Sequence, residues 1–210
     1  GFDYAHESGF YIGNWNSSIS WVSDAQMATS APIEMDIYGG FKKELIGEGF
    51  ASDVGFLQYY YPTSGHISTS IYANPNTTEI YAAQNFTVGP VTGFVKFSYA
   101  LSNTFGNYGS TGSYYPDLTA NYDTGFYGIT LNGHVGYQKI QGQYYVAGAP
   151  SLSYADWKAG LTKDFGGGLS ASAAYIGTNV KQGNGAYAYT VPGGRNQGGN
   201  TGVVSLTKTF

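Results

Sequence analysis

Residues 32–45 read PIEMDIYGGFKKEL, with Ile33, Met35, Ile37, Gly39 and Phe41 on one parity and Glu34, Asp36, Tyr38, Gly40, Lys42 and Glu44 on the other. A period of two sends alternate side chains to opposite faces of a strand, so the segment predicts a strand with one apolar face and one charged face. The pattern recurs. In PVTGFVKFSYAL (90–101), Val95, Phe97, Tyr99 and Leu101 oppose Lys96, Ser98 and Ala100. In FYGITLNGHVGYQ (126–138), Tyr127, Ile129, Leu131, Gly133, Val135 and Tyr137 oppose Thr130, Asn132, His134 and Gln138. In YADWKAGLTKD (154–164), Ala155, Trp157, Ala159 and Leu161 oppose Asp156, Lys158 and Thr162. Each alternation lasts about ten residues. Soluble strands average about five or six, whereas a tilted strand crossing a bilayer needs about 9–11.

The connections give a second, independent indication. Short links at 6–8, 46–49, 88–90, 123–125 and 164–168 alternate with long ones at 23–31, 62–76, 102–112, 139–151 and 179–199. Strict alternation places every long loop at one end of an up-and-down meander, as in outer-membrane barrels with short periplasmic turns and longer extracellular loops. The expected strands are 1–5, 9–22, 32–45, 50–61, 77–87, 91–101, 113–123, 126–138, 152–163, 169–178 and 200–210. Single-chain bacterial barrels use even strand numbers, so a further strand is expected upstream of Gly1, for about twelve. Segments 50–61 and 77–87 have mixed parity. Asp53, Leu57, Tyr59 and Tyr61 share one side, and either Gln84 or Asn85 must face outward, so both segments stay unassigned.

Composition agrees with a lipid-facing exterior. Charged residues are 10% of the chain, against roughly 25% in ordinary soluble domains, yet no stretch approaches the ~18–20 apolar residues of a spanning helix. Tyr 21, Phe 12, Trp 3 and Gly 32 favour strands and tight turns. A net charge of −4 with Arg195 as the sole arginine argues against nucleic acid, which needs a basic face. A lipocalin-like soluble barrel would need far more surface charge. The lack of Cys suits an oxidising compartment. On the apolar parity, Lys43, Lys163 and Lys208 fall near the short-turn end, where they can snorkel. Tyr11, Trp15, Trp21, Tyr99, Tyr127, Tyr137 and Trp157 are expected on that outward parity as interfacial girdles.

GFDYAHESGFYIGNWNSSISW (1–21), IEMDIYGGFKKEL (33–45), HVGYQ (134–138), YADWKAGLTKDFGGGLSASAAYIGTN (154–179) and the closing aromatic strand resemble, in order and over nearly the whole chain, the TorF-type family of proteobacterial outer-membrane porins. The resemblance implies a Gram-negative outer membrane and a secretory signal upstream, while the alternation and loop asymmetry predict a single transmembrane β-barrel domain over 1–210. It also implies that the terminal Phe210, with Val204 and Leu206, serves as the signal read by the barrel assembly machinery. Ordering a terminal aromatic ring costs entropy that only an apolar environment offsets, and lipid supplies one.

The expected pore-lining set is Glu34, Asp36, Lys42, Glu44, Lys96, Asp117, His134, Asp156 and Lys158, five acids against three lysines, which favours a weak cation preference. The same charges could instead pair across the interior and fill it. His134 could serve as a base beside a Ser or Asp, as in lipid hydrolases, but its parity points away from lipid, so no enzymatic role and no cofactor or metal is expected. His6 and His66 read as solvated, and DFGGGL (164–169) reads as a turn, because no helix follows it to hold a phosphate. The first functional expectation is therefore a passive channel for ions or small solutes. The alternative is a structural or adhesive surface protein whose Tyr- and Gly-rich loop 179–199 meets a partner, and either form could be a homo-oligomer.

Overall fold

A computed structural model describes residues 1–66, 73–142, 149–183, 186–190 and 194–210. Eleven strands form one antiparallel sheet: β1 Phe2–Ala5, β2 Phe10–Ser18, β3 Ile33–Gly47, β4 Phe50–Tyr60, β5 Thr77–Val88, β6 Val91–Ala100, β7 Tyr114–Asp123, β8 Ile129–Gln138, β9 Tyr154–Gly166, β10 Leu169–Thr178 and β11 Thr201–Lys208. Each pairs with its neighbours in sequence, so the sheet is a meander. β1 and β11 are its edges, and among the described residues they do not pair with each other. All eleven expected strands are present within a few residues. Parts of the expected loops 62–76, 139–151 and 179–199 lie outside the described residues.

The sheet curls strongly. Side chains from β3, β4, β8 and β9 line one cavity together, although β3 and β9 stand far apart in sheet order. The face bearing Glu34, Tyr59, Gln138 and Tyr154 is therefore the inner one. The opposite face is largely apolar, with Asn14, Ser52, Gln58 and Gln84 among its polar exceptions. In register across four strands, Val95, Leu118, Val135 and Trp157 form one row on it. Val54, Phe56, Ile80, Phe97, Leu131, Leu161, Tyr175, Val204 and Leu206 extend this exposed surface.

Glycine and tyrosine are used together on the inner face. Tyr38 lies over Gly13, Tyr11 over Gly40, Tyr81 over Gly55 and Tyr115 over Gly136, each ring crossing to a neighbouring strand. A Cβ at any of these glycines would fall within 3.0 Å of the tyrosine's ring or hydroxyl. The missing side chain is thus the space in which the ring lies, which explains glycines inside strands that they would otherwise weaken. At the hairpins the requirement is different. Gly49 and Gly168 have φ of 79° and 78°, a left-handed backbone that closes the tight turns between β3 and β4 and between β9 and β10.

Several sequence expectations are corrected. Tyr11 and Trp15 lie on the inner face, because β2 registers Tyr11 against Gly40 and Trp15 against Asp36. The outer residues of β2 are Phe10 and Ile12 instead, with Phe10 edge-on to Phe41. Trp21 is not in a strand at all, since β2 ends at Ser18 and Trp21–Asp24 form a one-turn helix. Tyr127 sits in the turn before β8 with φ 49°. The unassigned segments resolve with Asp53, Leu57 and Tyr59 inside, and Gln84 outside beside Ser52, its hydrogen-bond partner at 2.8 Å.

At the long-loop end, segment 19–31 folds over the cavity. Val22, Met27, Ala28, Ala31 and Tyr61 form a small buried cluster there, with Trp21, Tyr59 and Phe105 packed against it. Ala28–Ser30 pairs with Ser64–His66 as a two-stranded ribbon that ties this segment to the next long loop.

Candidate functional site

The inner face is built from charged and phenolic side chains that hydrogen-bond across strands. The Tyr11 hydroxyl donates to Asp53 at 2.7 Å and meets the Tyr81 hydroxyl. The Lys96 ammonium lies 4.2 Å from the centre of the Tyr81 ring. Tyr38 donates to Asp3 on β1. Two amides extend the ladder toward the short turns, where Asn132 bonds Asn121 at 2.8 Å and accepts from Thr162 at 2.8 Å.

His134 is the centre of the tightest cluster. Its Nε2 lies 2.7 Å from Asp156 Oδ1 and its Nδ1 lies 3.0 Å from Asp117 Oδ1. Asp117, Gly136 and Asp156 are in register on three neighbouring strands. The gap above Gly136 admits Tyr115, whose hydroxyl donates to Asp156 at 3.0 Å and lies 3.1 Å from His134 Nε2. Both ring nitrogens therefore face carboxylates. The cluster ties β7, β8 and β9 together, and the Thr119 hydroxyl lies 3.1 Å from Nδ1 and donates to Asp117 at 3.2 Å.

The other expected lining residues are placed as follows. Glu34 accepts from the Tyr61 hydroxyl at 2.7 Å at the cavity wall. Asp36 lies deeper on the same strand, and its Oδ1 is buried without a hydrogen-bond partner among the described residues. Lys42 donates to Asn85 at 3.3 Å. Glu44 lies beside Lys42 and Asn85 at the hairpin end of the same face and accepts from the Gly49 N–H at 2.9 Å. Lys158 registers opposite His134. Among the described residues both ion pairs involve His134, and no lysine pairs with a carboxylate. Asp3, Asp53 and Glu79 join the inner face, acids that mixed parity or a short terminal strand concealed. On β11, Val204 and Leu206 are fully on the outer face, and Phe210 follows the strand into solvent-accessible space with Lys208 Nζ 5.3 Å from its ring. Lys208 donates to the Gly167 carbonyl and Lys163 to that of Tyr127, so both outer lysines reach turns at the short-loop end.

The cavity at the long-loop end has a volume of about 890 Å³. Trp21, Tyr59, Phe105, Tyr154 and Tyr189 contribute aromatic walls, and Asp24 and Glu34 contribute the charges. Burial and the Glu34 bond hold the Tyr61 phenol above its usual range. Burial does the same for Tyr189, which donates to the Leu152 carbonyl at 2.6 Å. Both phenols stay neutral donors, so the cavity's negative charge rests on its carboxylates. The aromatic residues that assemble here were not recognised as a site from the sequence, because they come from five separated segments.

The fold and inner face define an all-β protein built on one curled antiparallel sheet with a polar, predominantly acidic interior. The whole chain, residues 1–210, matches Gcw_chp, described as a bacterial protein of unknown function, and belongs to that family. No curated protein and no solved structure matches the chain.

Proposed function

We propose that the chain is an outer-membrane barrel of about twelve strands that forms a narrow, porin-like passage for ions or small solutes with a weak cation preference. One observation carries this reading: the polarity of the sheet is reversed relative to a soluble domain. Its exposed face holds rows of Val, Leu, Ile and Phe, while its enclosed face holds the carboxylates, lysines and His134. Monomeric soluble proteins rarely expose a contiguous apolar surface of that extent, whereas a barrel in lipid requires one. No helix among the described residues is long and apolar enough to cross a membrane, so strands would do the spanning. The partners are outer-membrane lipid along the sheet and the barrel assembly machinery at Val204, Leu206 and Phe210.

The interior supports selectivity by field and width, without covalent chemistry. Eight-stranded barrels are filled by side chains and sixteen-stranded ones leave wide channels, so about twelve strands leave a restricted path. Carboxylates outnumber lysines on its wall, and low-dielectric walls focus their field on a passing ion. Planar-bilayer conductance tests the reading. The expected result is a small conductance with a cation-selective reversal potential, shifted toward anions by Glu34→Gln with Asp36→Asn, the shift shrinking at high salt. Absence of conductance in both forms would overturn the channel and promote the structural or adhesive reading.

A further inference from the structure

The mouth cavity has a composition that passive filling of space does not require. Trp21 stands edge-on to Phe105 at 88° with centroids 6.3 Å apart, and Tyr59 meets the same Phe105 at 68° and 5.1 Å. Tyr154 and Tyr189 cross at 85° and 5.5 Å on another part of the wall. Edge-to-face contacts hold these five rings at the walls of a box, and an aromatic face not covered by a neighbour's edge is the negative end of the ring quadrupole. Asp24 and Glu34 add two carboxylates to the lining, while no Lys or Arg lines it among the described residues.

The backbone is also bent to build this box. Three described non-glycine residues have positive φ, and two of them, Gln26 at 58° and Phe105 at 50°, line the cavity. Left-handed backbone at a bulky residue is costly and persists where the surroundings hold it, as at ligand sites. Here it turns Phe105 inward against Trp21 and Tyr59. The volume of about 890 Å³ falls in the range of small-molecule pockets.

The geometry points to a binding site for a small organic ammonium cation, held between the aromatic walls and the carboxylates of Asp24 and Glu34 under segment 19–31. Ring faces and carboxylates both attract positive charge, and no basic side chain among the described residues of the wall offsets them. A neutral sugar would use the same rings as stacking platforms but has no use for two carboxylates in a wall without a base. An anion would meet repulsion from every charged group on the lining. The site goes beyond the channel reading, since binding is measured without conduction.

Choline and its uncharged isostere 3,3-dimethylbutan-1-ol, titrated calorimetrically into the detergent-solubilised unmodified chain, separate charge recognition from shape. Choline is expected to bind about tenfold or more tightly than the isostere. The paired change Asp24→Asn and Glu34→Gln is expected to weaken choline by about tenfold while leaving the isostere unaffected. The wild-type comparison alone decides the matter should that variant fail to fold. Equal affinity for the two probes, tighter binding of maltose than of choline, or no binding of choline overturns the proposal, and none of these results bears on whether the interior conducts.

Discussion

Leu118→Arg is expected to prevent the protein from assembling stably in a bilayer, whereas Thr119→Arg, one residue further on, is expected to leave it assembled. Leu118 lies in the middle of the outer row between Val95 and Val135. An arginine near the bilayer midplane on the lipid face of a barrel costs about 2–4 kcal/mol, a large part of the marginal stability of a folded chain. Thr119 faces the interior and contacts His134. An arginine there meets Asp117 and water, and its guanidinium can pair with the carboxylate. Retention of a compact, faster-migrating form in unheated gel electrophoresis checks both variants. Loss for Leu118→Arg with retention for Thr119→Arg is the expected result; the reverse would mean that the faces have been exchanged.

The second large effect concerns the mouth. Val22→Asp is expected to unseat segment 19–31 and raise single-channel conductance severalfold. Val22 is 0% exposed at the centre of the only buried apolar cluster in the described residues, and a carboxylate there has no cationic partner among its packed neighbours. An uncompensated buried charge costs roughly 3–5 kcal/mol, more than one short helix and a ribbon can offset, so the segment should leave rather than hold the charge. The sheet should survive, because no residue of the cluster except Tyr61 adjoins a strand of the ladder. Unchanged conductance with choline binding intact would show that the segment does not obstruct the path.

Where side-chain chemistry was unambiguous, period-two reading of the sequence reached the right face. β3, β6, β8 and β9 carry Val, Leu or Ile on one parity and charges or amides on the other, β11 sets Val204 and Leu206 against Ser205 and Thr207, and their registers agree. It failed on β2, where aromatic residues fall on both parities, Phe10 on one and Tyr11 and Trp15 on the other. A tyrosine ring suits a lipid interface, but its hydroxyl suits a polar interior equally, and the partners that decide, Asp53 and Tyr81, are 42 and 70 residues distant in sequence. A usable signal was the pairing of inner tyrosines with strand-interior glycines, which needs register to interpret. The mouth was illegible for a related reason. WVSD is too short to show helical period, and its burial depends on Tyr61 and Phe105 from later loops. The position of His134 between two acids likewise depends on Gly136 leaving space for Tyr115.

The central claim is that the apolar face meets lipid and the polar face meets water. The chain has no Cys, so a single cysteine can be placed and spin-labelled at each position from 115 to 122 along β7 without removing a native thiol. In reconstituted bilayers, labels at Pro116, Leu118, Ala120 and Tyr122 are expected to collide preferentially with oxygen dissolved in the lipid. Labels at Tyr115, Asp117, Thr119 and Asn121 are expected to collide preferentially with a water-soluble nickel chelate, giving a two-residue oscillation with the two accessibilities out of phase. Water accessibility at Leu118 and Ala120 equal to that at Asp117 and Thr119, or no oscillation along the strand, would contradict the account.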